Sequence, residues 1–376
     1  MHLTPLHSKF LAALAFSALP LSSVKAAPST FLPSPGFLDV STLASNGDNN
    51  PYGVAFVPKG FPSGPLNPGD ILVSNFNSSS GVQGTGTTIV AVPANGVAGN
   101  VFTFFSIPFN APTDGGFTTA LGVLKRGFVV VGNLPNTPLP DGTPQPQSGS
   151  LLFIDSTGKN IVLRYTNAID ANVNGPWDLT IDDGGNTATI FFSNVLSGTV
   201  VRLGVTVGTT SVAVTSSVEI ANGYTTAPSV PALVLGPTGL AYDKSTDTLY
   251  VASTADNAIY KIPNAESRSL PVVKGTLVTS DSTHLHGPLA LVLAPNGNLL
   301  TANGDAVNPP TPAGPELFSE IAEFTKQGKF LGSLSVDPNN GAAFGIAVDA
   351  PSGNNSARFA AVNDDDNSVD VLNLSF

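Results

Sequence analysis

The chain has 376 residues, of which 41% are apolar and only 11% charged, with 38 Gly, 32 Pro and no Cys. That composition supplies a sizeable core and many turns, and it excludes stabilisation by disulfides. A formal charge of −11 without a basic stripe argues against nucleic acid as a partner.

In chain order, the first element is a leader. Lys9 precedes an apolar run from Phe10 to Leu21, and Val24-Lys25-Ala26 offers a small-residue cleavage pattern. Residues 1–26 read as a secretory signal peptide, broken by Pro20 and too short to span a bilayer. Its removal takes away Lys9 and Lys25 and no acid, moving the formal charge from −11 to −13. No later segment is long and apolar enough to cross a membrane. The expected organisation is a linker over 27–35 and one domain over 36–376, secreted or periplasmic and monomeric.

Six short alternating runs then recur: Tyr52–Val57, Leu121–Leu124, Trp177–Asp182, Thr238–Asp243, Leu289–Ala294 and Phe344–Asp349. Their second residues, at 53, 122, 178, 239, 290 and 345, are 51 to 69 residues apart. That is the ~40–50-residue period of propeller blades with insertions added. A second strand follows each run, over Ile71–Asn75, Val129–Asn133, Ile190–Asn194, Leu249–Ser253, Leu299–Asn303 and Phe359–Asn363. Third strands follow at Thr88–Val92, Ser150–Ile154, Thr199–Leu203, Ala258–Ile262, Glu320–Phe324 and Ser368–Leu372. Fourth strands are looser, as at Val101–Phe105 and Ile161–Tyr165. Period-2 patterning and β-branched residues support strands throughout. The only helical signal is a short turn between Pro315 and Lys326. The last repeat runs out of chain after three strands, while Phe37–Val40 stands before the first. The expected fold is all-β: a six-bladed β-propeller with four antiparallel strands per blade, its N-terminal strand closing the last blade and removing an open edge. Tandem β-sandwiches are the structural alternative, but Greek keys do not repeat a strand quartet at this period.

The fourth repeat, Gly236–Asp243 followed by Thr248–Ser253 and Asp256–Ile262, resembles the NHL repeat, and the sixth is similar. The resemblance implies the propeller architecture and leaves function open. In one departure, Asn75, Asn133, Asn194, Asn303 and Asn363 end the second strands, with Ser253 as the sixth. A short amide there can bond the next turn, or six such positions can ring a channel mouth. The chain is also distantly similar to gluconolactonase/regucalcin-like propellers, which bind a divalent metal at the channel mouth through carboxylate and Asn ligands. That resemblance implies Ca2+ or Mg2+ on oxygen ligands, with Asp178, Asn194, Asn303 and Asn363 as candidates. An Asp at such a position is more often a hydrogen-bonded strand-end residue. Streptogramin-lyase-like propellers use a His and a metal at this mouth, which makes His284 and His286 candidate catalytic residues. No Glu stands near them in sequence. Asp364, Asp365 and Asp366 form a loop tip that is either solvated or a cation holder, without the spacing of a dedicated calcium loop.

Three Gly/Pro-rich insertions, Ser78–Thr87, Leu134–Ser148 and Ala306–Pro315, separate second from third strands. They should share one rim with the Asn positions and the histidines. Two functions follow. One is a non-catalytic module binding a protein, a glycan or a small polar ligand through that rim. The other is a metal-dependent lactonase- or lyase-like enzyme at the channel mouth.

Overall fold

The computed structural model describes residues 30–32, 38–94, 101–107, 115–230, 232–350 and 356–375. The leader, most of the linker and Phe37 lie outside them. Six four-stranded antiparallel sheets are arranged as blades. Blade 1 comprises Asn49–Phe56, Ile71–Asn77, Thr88–Val92 and Phe102–Ser106. Blade 2 comprises Phe117–Leu124, Phe128–Asn133, Ser150–Asp155 and Ile161–Thr166. Blade 3 is Pro176–Asp183, Thr187–Asn194, Thr199–Val207 and Val212–Asn222, with Val272–Val273 added in parallel at its outer edge. Blade 4 is Pro237–Asp243, Thr248–Ser253, Ala258–Pro263 and Thr276–Thr279. Blade 5 is Pro288–Leu293, Leu299–Asn303, Glu320–Phe324 and Phe330–Ser335. Blade 6 is Ala343–Asp349, Ser356–Asn363 and Ser368–Ser375, completed by Leu38–Ser41 from the other end of the chain. The closing register pairs Leu38 with Val371 and Ser41 with Ser368.

The core is divided among the gaps between blades. Buried Val, Ile, Leu and Phe side chains form six clusters, one in each gap, and the cluster between blades 6 and 1 runs on to the centre of the ring. Each second strand is therefore largely buried on both faces, whereas outer strands such as Val212–Asn222 are only partly buried.

All six inner strands carry a β-bulge just after they begin. Three begin at Pro176, Pro237 or Pro288, at a strand start where a missing N–H costs no ladder bond, and in the first Pro51 stands just before the bulge. The residue after the bulge approaches the next blade closely. A Cβ on Gly345 would collide with the Tyr52 carbonyl, and one on Gly239 with the Leu291 amide. That approach is why Gly stands at Gly53, Gly239 and Gly345; the equivalent positions in the other blades are Ala120, Asp178 and Ala290. Serines stitch the same gap: Ser74 Oγ donates to the Thr118 carbonyl at 3.0 Å and Ser193 Oγ to the Thr238 carbonyl at 2.7 Å, each in the following blade.

Two sequence expectations are corrected. Blade 2 aligns through Ala120 and not Gly122, because its bulge holds one extra residue: Phe117 pairs with Asn133 and the next pair is Leu121 with Val131. Pro315–Lys326 holds no helical turn; Glu320–Phe324 is a strand, and no helix occurs among the described residues. Within the expected linker, the NH of Phe31 donates to both Glu323 carboxylate oxygens at 2.8 and 2.7 Å, and its ring packs in the cluster between blades 5 and 6. Those residues are docked on the propeller.

Candidate functional site

Second strands end, insertions begin and inner strands start on the same face. The expected rim exists, and its parts touch. The backbone NH of Asn136 donates to the Gly84 carbonyl and its Nδ2 to the Gln83 carbonyl, both at 3.0 Å, locking the first insertion to the second. The third insertion docks on the histidine loop, with Asn308 Nδ2 on the Leu285 carbonyl at 2.9 Å.

The Asn residues close turns in their own blades. Asn133 Oδ1 accepts the NH and hydroxyl of Ser150, both at 2.7 Å. Asn75 and Asn194 donate to the third-strand hydroxyls of Thr88 and Thr199 at 3.1 and 3.0 Å. Asn194 also accepts Asn174 NH at 2.9 Å and donates to the Asn172 carbonyl at 2.8 Å, so both ends of its amide are used. Asn363 accepts Asp365 NH at 3.1 Å and donates to Asp337 at 3.2 Å. Asn303 donates to the His284 carbonyl at 2.9 Å, while its Oδ1 has no partner.

Asp178 occupies the gap position that is Gly or Ala in the other five blades. Its oxygens accept Leu179 NH at 2.8 Å and Leu240 NH, in blade 4, at 3.1 Å. Burial holds its carboxyl well above the usual carboxylate range, against the lowering effect of these two bonds. Asp178 and Asn194 share no hydrogen-bond partner. Among the described residues, no group of three or more His, Asp or Glu side chains is arranged to hold a metal ion.

The channel mouth on this face is capped. Just before the gap position stand Tyr52, Thr119, Trp177, Thr238, Leu289 and Phe344. Tyr52 stacks between Phe344 (ring centroids 4.4 Å apart) and Phe76 (4.5 Å) and meets Trp177 edge-on at 5.8 Å. All four rings are buried. Below the cap, a cavity of about 420 Å³ is lined by the later halves of the inner strands, including Leu121, Leu179, Ile181, Leu291 and Ile346, with Asp178 at its wall. The acidic tip divides: burial pushes Asp364 up to about 7, whereas Asp365 and Asp366 are exposed.

The two histidines part company. His284 Nδ1 pairs with Asp281 at 2.7 Å, and its ring stacks on Phe330 at the surface. His286 is buried, with Nδ1 on the Asn308 carbonyl at 2.5 Å and Nε2 3.4 Å from Glu320 Oε1. Glu320 was invisible as a partner in the sequence, because the third insertion separates it from the histidine loop.

The apolar feature of this face lies beside the second insertion. Pro135–Gln147 folds into a β-ribbon held by Gln147 NH to the Pro135 carbonyl at 2.7 Å and Leu139 NH to the Thr143 carbonyl at 2.9 Å. Opposite it, Ala227–Ser229 pairs with Leu233–Leu235 in a second hairpin. Between them is a cleft of about 370 Å³ lined by Pro144, Pro146, Leu196, Pro228, Val230 and Val234. Val230 is 79% exposed at its rim. The hairpin escaped sequence reading because its strands have only three residues each.

No family model and no curated sequence matches the chain. Solved structures match over most of its length. A candidate gluconolactonase shares 12% identity over 91% of this chain and 94% of its own, with a TM-score of 0.52. Regucalcin from Agrobacterium tumefaciens, described as a calcium-binding protein, shares 13% identity over 89% and 92%, with a TM-score of 0.50. A gluconolactonase from Xanthomonas campestris shares 14% identity over 87% and 88%, at 0.48. Likeness at this identity concerns the fold alone. By that fold the chain is a six-bladed β-propeller, distantly similar to the gluconolactonase and regucalcin structures.

Proposed function

We propose that this chain is an exported binding module that engages a protein partner through its insertion-bearing face, with the cleft between the Pro135–Gln147 ribbon and the Ala227–Leu235 hairpin as the principal contact. The cleft carries this reading. It is preformed, walled by prolines that lose little freedom on binding, and lined by aliphatic side chains, with no aromatic ring on which a sugar could stack. Such a lining suits an apolar side chain of a partner protein. Glycan and small polar ligands fit it poorly, and a lactonase- or lyase-like site at the channel mouth would need the Tyr52–Phe344–Trp177 cap to be absent. Export would follow from cleavage after Ala26.

The test uses the exported chain as bait for proteins of its own compartment, with Val230→Glu as the comparison. Val230 is exposed, so its replacement should leave the unfolding midpoint unchanged, and capture of the partner should fall at least tenfold. Shortening the ribbon from Thr137–Gln145 to an Asn-Gly turn should act in the same way. Equal capture by wild type and both variants would remove the cleft from the interaction and sink the reading. N-terminal sequencing of the exported protein should begin at Ala27.

A further inference from the structure

Blades 5 and 6 carry a second groove on the insertion-bearing face, separate from the apolar cleft of blades 2 to 4. It has a volume of about 480 Å³. Pro312, Leu317 and Phe318, on the third insertion and just after it, form one wall, and Pro338 stands on the other. Glu316 and Asp337 also line it. The walls are tied together. The Ser335 hydroxyl lies 2.7 Å from the Phe318 carbonyl and 2.8 Å from the Asp337 carbonyl, and Val336 NH donates to the Ser319 carbonyl at 3.1 Å. Leu317 is 45% exposed within this fixed frame.

Asp337 joins the groove to a line of acids on blade 6. Its carboxyl accepts Asn339 NH at 2.7 Å and Asn363 Nδ2 at 3.2 Å, and Asn339 Nδ2 donates in turn to Asp365 at 2.7 Å. Asp39 and Asp366 are exposed, whereas Asp370 is only 5% exposed. Burial first, then Asp39, Asp366 and Asp337, act on the Asp370 carboxyl, and no donor offsets them. Among the described residues, no Lys or Arg forms an ion pair with Glu316 or with any of these aspartates.

The groove and the buried acid are independent observations with one chemical complement. Apolar walls suit methylene groups, and a buried carboxyl faced only by other acids is relieved by a cation from outside. A bare metal ion is not that cation, since no three of the acids converge to hold one. An arginine side chain brings both parts. Its stem covers apolar surface, and its planar guanidinium bonds carboxylates in pairs while keeping its charge at every relevant pH.

We propose that the groove between blades 5 and 6 binds an arginine-bearing segment of a partner protein. Glu316 and Asp337 take the guanidinium, and Leu317 and Pro338 take its stem. Asp39, Asp366 and Asp370 supply the negative field that draws the cation in. The site lies outside the apolar cleft and stands or falls without it.

The test titrates the full chain, by calorimetry at low ionic strength, with the peptide acetyl-Gly-Leu-Arg-Leu-Arg-Gly-amide. The comparison peptide carries citrulline for arginine, which keeps the shape and removes the charge. The arginine peptide should bind at least tenfold more tightly, and its affinity should fall in about 0.5 M salt. Glu316→Gln combined with Asp337→Asn should weaken it at least tenfold. Glu219→Gln combined with Glu266→Gln removes the same charge from blades 3 and 4 and should change little. Val230→Glu, which blocks the apolar cleft, should leave the peptide bound, so failure of one site is distinguished from failure of the other. No binding, or equal binding of the two peptides by the wild-type chain, overturns the proposal whether or not the variants fold. An equal loss in the blade 3 and 4 variant would reduce the effect to net charge and overturn it as well.

Discussion

At the scale of single residues, position 178 shows how a polar side chain can replace a glycine. Five blades solve the close approach of inner strands by having no side chain beyond Cβ. Blade 3 instead places a carboxyl in the gap and uses it to accept the Leu240 amide of blade 4. With burial pushing the carboxyl toward its neutral form, Asn is its near-isostere. Asp178→Asn is therefore expected to keep the stability at pH 8 within ~0.5 kcal/mol or raise it. Asp178→Ala should cost about 1–3 kcal/mol, because a buried N–H loses its acceptor. Chemical denaturation of the two variants checks this. A severe loss in Asp178→Asn would mean that the ionised carboxylate matters, and the residue would return as a ligand candidate. The histidines make the same point. Two residues apart on one loop, one is a surface ring on Phe330 and the other a buried partner of Glu320, and nothing in His284-Leu-His286 distinguishes them.

At the scale of elements, the closing strand carries a built-in opposition. Asp39 lies directly across the ladder from Asp370, and like charges so placed destabilise a pair. Burial first, then Asp39, Asp366 and Asp337, push Asp370 up to about 7. A carboxyl whose folded pKa exceeds its unfolded one binds its proton more tightly in the folded state. Its contribution is complete below the unfolded value near 4 and is lost as pH rises through about 7. Asp364 shifts in the same direction. The unfolding midpoint should therefore fall between pH 5 and pH 8. Asp39→Asn should raise it by roughly 2–4 °C at pH 8 and by little at pH 4.5. A midpoint that climbs steadily from pH 5 to 8 would show that ionised, paired acids dominate instead. The strand itself was legible in sequence, since the sixth repeat lacked a fourth strand and Leu38–Val40 stood unused. The acidic opposition was not, because it depends on register across more than 300 residues of chain.

At the scale of the whole molecule, stability is distributed over six equivalent gaps, and the ring holds only when the sixth is closed. Val40 is buried against blades 6 and 1, and burial of one valine is worth about 1.5–3 kcal/mol. A chain beginning after Ser41 also exposes the edge of Ser368–Ser375. Such a chain should lose at least ~3 kcal/mol and aggregate through that edge. Calorimetry with light scattering would show it, and an unchanged, cooperative transition would refute the role given to closure.

The sequence by itself determined the strands, their grouping in fours, the number of blades, the direction of closure and the face on which the insertions gather. These follow from local patterning: period-2 apolar runs, Gly and Pro at turns, and recurrence at a near-constant interval are all written within a few neighbouring residues. Only the tertiary structure decided that the Asn residues close their own turns, that Tyr52, Trp177 and Phe344 meet as a cap, and that blade 2 holds one extra residue in its bulge. It also decided that Glu320 stands beside His286 and that a ribbon and a hairpin enclose an apolar cleft. Each of these depends on groups from separate repeats, or from opposite sides of an insertion, brought together by the ring. Residue type and spacing carry no record of such distances.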